Sequence, residues 1–321
     1  MPGTFQWDRG LAFLHQIKDP WGADIEPALR WRILPALVAR LLSLEETALI
    51  VLPWLGVCAF LFHIQHALLR SGFDRLPTAF CVSIFASSSS VLVPLHWWGM
   101  NDAWAWLGLS LVSLGRSPIT LIFAGLLTPW VDERFIIALP LALAARHFIQ
   151  GKLTKTEFIS CLSGPLIYLG LRLWSITLGG PQDASTTFVT GALGMAKIWI
   201  PFAPLGWWMA WRMAWFFPIL ALYACWQEKP GKFFQGLGLL LTTAIIMIPL
   251  AADLSRSAAL ILPTILAGMI TLHRYWPHKS MAVFGTVALL NLFLPVAHVV
   301  YDKIDIISPL PIELVRWIGT L

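Results

Sequence analysis

Acidic side chains in short polar turns are the residues of this chain whose types and spacing could do chemistry. Asp102 follows Gly99-Met100-Asn101 and precedes a tryptophan-rich stretch. A half-buried carboxylate there could be a general base or a metal ligand, or the N-cap of the next helix. Asp132-Glu133-Arg134 is the densest polar cluster. One interpretation is a pair of acids whose pKa values are shifted by the neighbouring arginine. The other is a helix start, where the helix dipole favours two acids.

Two further segments carry acids of interest. Asp253-Leu254-Ser255-Arg256-Ser257 is interpreted either as a helix start with a serine N-cap or as a polar site that faces the other acids. Asp8, beside Trp7, is the acid that precedes the first amphipathic stretch. The candidate catalytic residues are therefore Asp8, Asp102, Asp132 and Glu133.

Arginines are the first class of candidate substrate contacts. Arg172 and Arg212 lie inside apolar stretches, where a guanidinium is costly unless it is paired or faces water. Their planar fork of donors would suit a lipid-linked phosphate. The competing interpretation is that each side chain reaches the membrane interface or pairs with an internal acid. Arg134 and Arg256 accompany the acids and are candidates for the same role.

Tryptophans are the second class. The chain contains 18 of them, mostly in segments assigned to one side of the membrane, whereas an interfacial belt should occupy both sides. Trp104 and Trp208 are therefore candidate aromatic platforms for a sugar ring or a lipid tail, with belt residues as the alternative. No Gly-rich phosphate loop, nucleophile elbow or HExxH zinc pair is present in the sequence.

The composition predicts a membrane protein. Hydrophobic residues make up 58% of the 321 positions and charged residues 12%, and the mean hydropathy is +0.73. These values suit a bundle solvated by lipid better than a soluble core. The four cysteines lie in apolar stretches without metal-ligand spacing, so they predict neither a disulfide frame nor a zinc site. The net charge of +5 is attributed to membrane orientation, and no nucleic-acid partner is expected.

Apolar stretches predict an all-α, polytopic helical bundle of about ten spans. Three short helices are expected between Asp102 and His147. Residues 1–46 are expected to form an outward amphipathic segment on the membrane surface, residues 47–300 the bundle, and residues 301–321 an outward carboxy-terminal segment. The clearer spans run over Thr47 to Leu69, Pro77 to Trp98, Phe158 to Leu178, Pro204 to Cys225, Phe233 to Ala251, Ala258 to Leu272 and Met281 to Val300.

The charges of the connecting loops predict an orientation through the positive-inside rule. The loops assigned to the cytoplasm are mostly basic and hold Arg70, Arg75, Arg116, Arg146, Lys152, Lys155, Lys229, Lys232, Arg274 and Lys279. The loops assigned to the outside are mostly acidic and hold Asp102, Asp132, Glu133, Asp183, Asp253, Asp302 and Asp305. Both termini are then expected outside a plasma (inner) membrane, on the side of the candidate acids.

The order of these features resembles the GT-C superfamily of integral-membrane glycosyltransferases, which take a sugar from a polyprenyl-phosphate carrier at the outer face. That family has an acid in its first outward loop, then amphipathic juxtamembrane helices, then a second acid in the next outward loop. Asp8, the segment from Arg30 to Leu37, and Asp102 fall in this order. The resemblance implies Asp8 as a base and Asp102 as a second acid or metal ligand. The family also has a membrane helix before the first loop, which a partner subunit could supply here.

The expected function is therefore that of a glycosyltransferase or glycan polymerase that uses a polyprenyl-phosphate-linked sugar. Its partners would be that lipid-linked donor, membrane lipids, and a glycan or lipid acceptor, and a divalent cation is a candidate cofactor. The alternatives are a transporter or flippase of an amphipathic lipid-linked substrate, which buried arginines and broken helices would also suit, and a non-catalytic membrane subunit.

Overall fold

The fold is a bundle of helices with one small β-hairpin. The computed structural model describes residues 8–22, 25, 29–178, 196–247, 253–300 and 302–307, with the isolated positions 312, 315 and 319. Almost all of these residues are helical, which confirms the all-α class.

The elements are numbered here in chain order. The α-helices are α1 (Asp8–Lys18), α2 (Ile33–Leu41), α3 (Ala48–Arg70), α4 (Arg75–Ala86), α5 (Ser89–His96), α6 (Asp102–Leu114), α7 (Pro118–Leu127), α8 (Arg134–Gln150), α9 (Lys155–Thr177), α10 (Ala196–Trp199), α11 (Ala203–Trp211), α12 (Phe216–Glu228), α13 (Pro230–Met247), α14 (Leu254–Ala258), α15 (Leu262–Tyr275) and α16 (Pro277–Phe293). The strands are β1 (Val296–Val300) and β2 (Lys303–Ile307).

Several helices have the length and apolarity of membrane spans. In the described part of the chain there are four such segments, Glu45–Arg70, Lys155–Thr177, Pro230–Met247 and Leu254–Tyr275. The pair α4 and α5 is a fifth candidate if it counts as one span, since the two helices are bent by 48°. α6 and α7, with α7 extended by a 3₁₀ turn to Trp130, are shorter apolar helices in the region where short helices are predicted. These segments agree with a multi-pass membrane protein.

A serine run breaks the predicted span from Pro77 to Trp98. The Ser87 hydroxyl donates to the carbonyl of Ser83 at 2.7 Å, and the Ser88 hydroxyl donates to the carbonyl of Phe85 at 2.7 Å. Serine side chains that bond to backbone groups offer the chain an alternative to the helical ladder. α4 accordingly ends at Ala86, and α5 begins three residues later.

The predicted span from Met281 to Val300 also differs from the structure. α16 ends at Phe293, and the apolar residues that follow form β1. Pro295 has no N–H to continue a helix, and the valines beyond it are β-branched residues that favour strands. β1 pairs with β2 in antiparallel register, with Val296 opposite Ile307 and Val300 opposite Lys303.

The core is centred on α15. Every residue from Leu262 to Leu272 is buried, because α8, α12, α13 and α16 pack around this helix. Gly268 allows the close approach of α12, since a Cβ at that position would lie 2.6 Å from the Pro218 nitrogen. Small residues let helix backbones meet closely in membrane bundles.

α7 and α9 are joined by a second glycine contact. A Cβ at Gly125 would lie 2.6 Å from the Cys161 carbonyl oxygen, and a Cβ at Gly164 would overlap the backbone of Gly125. Gly170, on the same helix as Gly164, has no atom within 4 Å of its Cβ position. The two α9 glycines are therefore a matched pair, one at a helix contact and one on an open surface.

We expect Gly164→Leu to lower the unfolding temperature in detergent, because an overpacked contact typically costs about 1–3 kcal/mol. Gly170→Leu should unfold near the wild-type temperature. Thermal melts followed by circular dichroism would compare the two variants. Equal melts of both variants would contradict the close contact of α7 and α9.

The basic loops lie at the opposite end of the bundle from the acidic turns. Two of the arginines predicted to lie in basic loops are instead in helices, Arg146 within α8, where it is 1% exposed, and Arg274 in the last turn of α15. These two arginines and Arg116 donate to carbonyls at helix C-termini, which have no partner within the helix. Arg116 Nη2 donates to Arg70 O at 3.0 Å, Arg274 Nη1 to Ile149 O at 3.1 Å, and Arg146 Nη1 to Val112 O at 3.2 Å. The residues that predict orientation thus also close the helix ends.

Candidate functional site

At the acidic end of the bundle, eight side chains form a continuous row of alternating charge. They come from the segment before α2, the turn before α8, the first residues of α6 and α8, the start of α14, and β1. We call this set the charge row. In spatial order its members are Glu133, Arg32, Asp132, Arg134, Asp102, Arg256, Asp253 and His298.

The centre of the charge row is Asp102, which is 4% exposed and lies between two arginines. Arg134 Nη2 donates to Asp102 Oδ1 at 2.6 Å. Arg256 Nη2 donates to Asp102 Oδ1 and Oδ2, both at 2.8 Å, and its Nε donates to Oδ2 at 3.2 Å. Arg134 Nη1 also donates to the Ser257 hydroxyl at 3.1 Å. Two guanidiniums therefore share one buried carboxylate.

Asp132 continues the row beside Arg134. The Arg134 Nε lies 3.0 Å from Asp132 Oδ1, and the backbone N–H of Arg134 donates to the same oxygen at 3.0 Å. Asp132 thus accepts a hydrogen bond from the first backbone N–H of α8 and is also an ion-pair partner of Arg134. Arg32 Nη2 approaches Asp132 Oδ1 at 3.6 Å and connects the row to its next member.

One end of the row is the pair of Arg32 and Glu133. Arg32 Nε donates to Glu133 Oε2 and Arg32 Nη2 donates to Glu133 Oε1, both at 2.9 Å. This is the bidentate geometry that makes arginine–carboxylate pairs strong. The two side chains are 20% and 27% exposed, so this end of the row reaches the surface.

The other end is formed by Asp253 and His298. Arg256 Nη1 donates to Asp253 Oδ2 at 2.6 Å, and His298 Nε2 lies 3.0 Å from Asp253 Oδ1. The Trp97 ring packs edge-on against the His298 ring, with 4.5 Å between the centroids. The hydroxyl of Ser255 accepts from the Val299 N–H at 3.1 Å and fastens β1 to α14.

Neighbouring cationic side chains keep two acids of the row, Asp132 and Asp253, in the ionised form. Burial alone would raise the pKa of the Asp132 carboxyl, but Arg134 and Arg32 outweigh that effect and hold this pKa well below its usual range. Burial likewise opposes ionisation of Asp253, and Arg256 with His298 holds its pKa well below the usual range. Both carboxyls are therefore ionised at neutral pH.

Glu133 is the acid of the row best placed to leave its partner. Asp102 and Asp132 are buried and each contacts two arginines. Asp253 contacts both Arg256 and His298. The hydrogen bonds of the Glu133 carboxylate go to Arg32 alone among the described side chains, and Glu133 is the most exposed of the four acids.

The structure brings together five of the residues predicted from the sequence: Asp102, Asp132, Glu133, Arg134 and Arg256. Asp8 is the first residue of α1, and its side chain lies outside the described part of the structure. Trp104 lies between helices, where its Nε1 donates to Leu52 O at 3.0 Å and its ring covers Gly56. Trp208 packs edge-on against Phe216 at 6.3 Å.

Arg172 lies beside the charge row rather than in it. Its Nη1 donates to the Tyr168 hydroxyl at 3.3 Å, and its guanidinium carbon lies 5.8 Å from the centroid of the Trp31 ring. Trp31 is the neighbour of Arg32 in the chain, so Arg172 is close to the exposed end of the row. The side chain is half-buried.

Arg212 lies at a break in the predicted span from Pro204 to Cys225. Its backbone has a φ of 48°, and α11 ends before it at Trp211. The guanidinium is 1% exposed. It donates to the carbonyl of Leu294 at 2.7 Å and to the carbonyl of Ser87. These carbonyls belong to the residues that end α16 and α4, so Arg212 joins three interrupted helices.

We expect Arg212→Met to lower the unfolding temperature strongly, because each lost hydrogen bond to a charged donor is worth about 1.5–3 kcal/mol. Arg172→Met is the matched control, since the Arg172 side chain is half-buried and contacts the aromatic side chains of Tyr168 and Trp31. Thermal melts in detergent would compare the variants. An Arg212→Met variant that melts like the wild type but loses lipid-phosphate affinity would instead make Arg212 a substrate contact.

The sequence does not single out three residues that complete the site. Arg32 lies in an amphipathic run whose charges are typical of contact with lipid head groups. His298 lies in an apolar stretch with the length of a span. Tyr168 lies within α9, and its position beside Glu133 follows from packing. The apolar residues Ile33 and Leu34, which directly follow Arg32 at the start of α2, are the sequence pattern that could have indicated its position, because α2 packs on the bundle.

Among the described residues, no group of three or more His, Cys, Asp and Glu side chains is arranged to hold a metal ion. Each described carboxylate of the charge row is engaged by at least one arginine. The described residues therefore do not fit the divalent cation that the sequence leaves as a candidate cofactor, and the positive charge of the described site comes from guanidiniums. Comparisons of the chain with protein-family models, with curated proteins and with solved structures found no match.

Proposed function

We propose that this chain is a membrane glycosyltransferase that takes a sugar from a polyprenyl-phosphate carrier at the outer face of the plasma membrane. The observation that carries the proposal is the charge row, in which acids and arginines from separate turns meet at one end of the bundle. Transfer from a phosphate carrier needs a base for the acceptor hydroxyl and positive charge for the departing phosphate. The row supplies both kinds of group.

In the proposed topology the chain crosses the membrane ten times. The crossings are α3, α4 with α5, α6, α7, α8, α9, α11 with α12, α13, α14 with α15, and α16. This arrangement puts the charge row and both termini outside, and the basic helix ends in the cytoplasm, as the positive-inside rule favours. The short helix α6 packs against α3, α7 and α8, and the short helix α7 packs against α6 and α9.

The proposed reaction is a single displacement. The Glu133 carboxylate accepts the proton of an acceptor hydroxyl, whose oxygen attacks the anomeric carbon of the sugar. The bond between that carbon and the phosphate oxygen breaks, and its electron pair leaves with polyprenyl phosphate. Arg32 is the exposed arginine of the row and would stabilise the charge that develops on the phosphate. Asp102 and Arg134 hold the neighbouring side chains in position.

The amino-terminal helices suit a lipid-linked substrate. α1 and α2 pack on one another and on the start of α3, through a small core that includes Phe13 and Ala36. On the outer side of this unit, Leu11 is 61% exposed and Leu41 is 81% exposed. Exposed leucines on an amphipathic segment are typical of helices that lie in the membrane interface. The carrier could then enter from the lipid beside the exposed end of the charge row.

The test is a transfer assay with purified protein in nanodiscs. A panel of undecaprenyl-phosphate-linked hexoses would be the donors, a membrane glycan extract the acceptor, and released undecaprenyl phosphate would be measured by mass spectrometry. We expect release from one donor and transfer of its sugar to the extract. If no donor is consumed and the same protein moves donor lipids across liposomes, the chain is a transporter.

A further inference from the structure

The exposed end of the charge row adjoins a wall of aromatic rings. Trp31, Trp130 and Tyr168 form a triangle with centroid distances of 6.5, 6.1 and 4.8 Å. These rings come from the segment before α2, the turn before α8 and the middle of α9. Trp31 precedes Arg32, and Trp130 lies three positions before Glu133, so the wall and the ion pair share the same backbone segments.

Two guanidiniums flank this wall. Arg32 lies on the side of Glu133, and Arg172 lies over the rings of Trp31 and Tyr168, 5.8 and 5.9 Å from their centroids. Tyr168 is fully buried and packs behind Trp31 and Trp130, which are partly exposed. A phosphate ester of an apolar chain has the matching chemistry, with an anionic head for the arginines and a hydrocarbon part for the two tryptophan rings. A neutral lipid would offer nothing to the guanidiniums, and free phosphate nothing to the rings.

We infer that this place is a binding site for the phosphate of an isoprenoid lipid, and that the phosphate takes the place of the Glu133 carboxylate on Arg32. The inference rests on the proposed function and adds a substrate contact and an order of events to it. Glu133 occupies the bidentate Nε/Nη2 face of Arg32, at 2.9 Å on both oxygens, and Asp132 lies 3.6 Å from the same Nη2. A phosphate that binds there must displace the carboxylate.

Displacement would couple donor binding to catalysis. While Glu133 is paired with Arg32, both of its carboxylate oxygens accept hydrogen bonds from the guanidinium and neither faces an acceptor hydroxyl. Once the phosphate holds Arg32, these oxygens are released and one of them can accept the proton of the acceptor. Glu133 would therefore act as a base only after the donor has bound, and its side chain, which is 27% exposed, has room to turn.

This exchange predicts affinity changes of opposite sign for the two partners of one ion pair. Arg32→Gln removes a charged donor pair and should weaken the binding of geranylgeranyl phosphate by about tenfold to a hundredfold. Glu133→Gln removes the competing carboxylate and should tighten binding by about fivefold or more. A purely structural ion pair would give weaker binding, or no change, in both variants.

The experiment measures dissociation constants in nanodiscs of neutral phosphatidylcholine. Geranylgeranyl phosphate is the probe. Geranylgeraniol tests binding of the isoprenoid tail alone, inorganic phosphate tests binding of the phosphate alone, and phosphatidylglycerol tests binding of an ordinary anionic lipid. We expect each of the three to bind at least tenfold more weakly than the probe. Arg40→Gln and Glu46→Gln, two exposed positions of the same amino-terminal region, are the matched controls and should bind like the wild type.

If Glu133→Gln binds the probe no more tightly than the wild type does, the proposed exchange of phosphate for the Glu133 carboxylate on Arg32 is wrong. Unchanged binding in Arg32→Gln would overturn the site. If Arg32→Gln does not insert, Arg32→Lys retains the charge without the bidentate fork and should still weaken binding. The transfer assay is independent of this outcome: transfer without the exchange pattern leaves the proposed function standing, whereas the pattern without transfer leaves an isoprenoid-phosphate site in a protein of another activity.

Discussion

Glu133→Gln is expected to lower the rate of glycosyl transfer by about a hundredfold to ten-thousandfold, the contribution of a positioned general base. Glutamine keeps the shape of the side chain and can still accept a hydrogen bond from Arg32, but it cannot take a proton. Because Arg32 and Glu133 are 20% and 27% exposed, water can replace part of the lost interaction. The chain should therefore fold and insert as the wild type does.

The measurement for this prediction is the initial rate of undecaprenyl phosphate release, with thermal melts of the same samples. Glu46→Gln is the control, since Glu46 is exposed in the turn that leads into α3. A Glu133→Gln variant with the wild-type rate would remove Glu133 as the base. Asp253 and Asp8 would then be the next carboxylates to replace.

Asp102→Asn is expected to cost about 3–5 kcal/mol of stability, as the loss of one partner from a buried ion pair does. The substitution leaves Arg134 and Arg256 beside each other with one negative charge fewer between them. From the sequence alone, Asp102 as an interfacial helix cap would contribute only about 1 kcal/mol. We expect a larger loss of stability because side chains from three helices, α6, α8 and α14, meet at this one carboxylate.

Thermal unfolding in detergent would test the effect, with Asp74→Asn as the control at an exposed N-cap position that makes no side-chain cap bond. The double variant Asp102→Asn/Arg256→Gln should be more stable than the sum of the two single losses predicts, because both changes remove the same ion pair between Asp102 and Arg256. Strict additivity, or an Asp102→Asn melt at the wild-type temperature, would contradict a central role for Asp102.

Much of the charge row follows from the sequence, and the reason is topological. Asp102, Asp132-Glu133-Arg134 and Asp253–Arg256 each lie where a helix begins. The alternation of basic and acidic loops predicts that these helix starts share one side of the membrane. The helix dipole favours acids at such positions. When neighbouring helices start at the same end of the bundle, the side chains at their first residues are close enough to form ion pairs.

Other parts of the site depend on packing that no local pattern encodes. Arg32 pairs with Glu133 only because α2 folds back onto the bundle, which is a contact across 101 positions of sequence. His298 enters the row because the chain turns into a strand after Pro295, in a stretch apolar enough for a helix. Arg212 joins helix ends at Ser87 and Leu294, which are contacts across 125 and 82 positions of sequence.

The most direct test of the central claim is a single-turnover measurement in proteoliposomes. Undecaprenyl-phosphate-linked sugar is placed in the outer leaflet, the protein is in excess, and acceptor extract is added outside. Wild-type protein facing outward should convert the bound donor to undecaprenyl phosphate, while Glu133→Gln should retain the donor intact and bound. Equal conversion by both proteins, or conversion only when the donor and acceptor are enclosed on the cytoplasmic side, would contradict an outward active site built on the charge row.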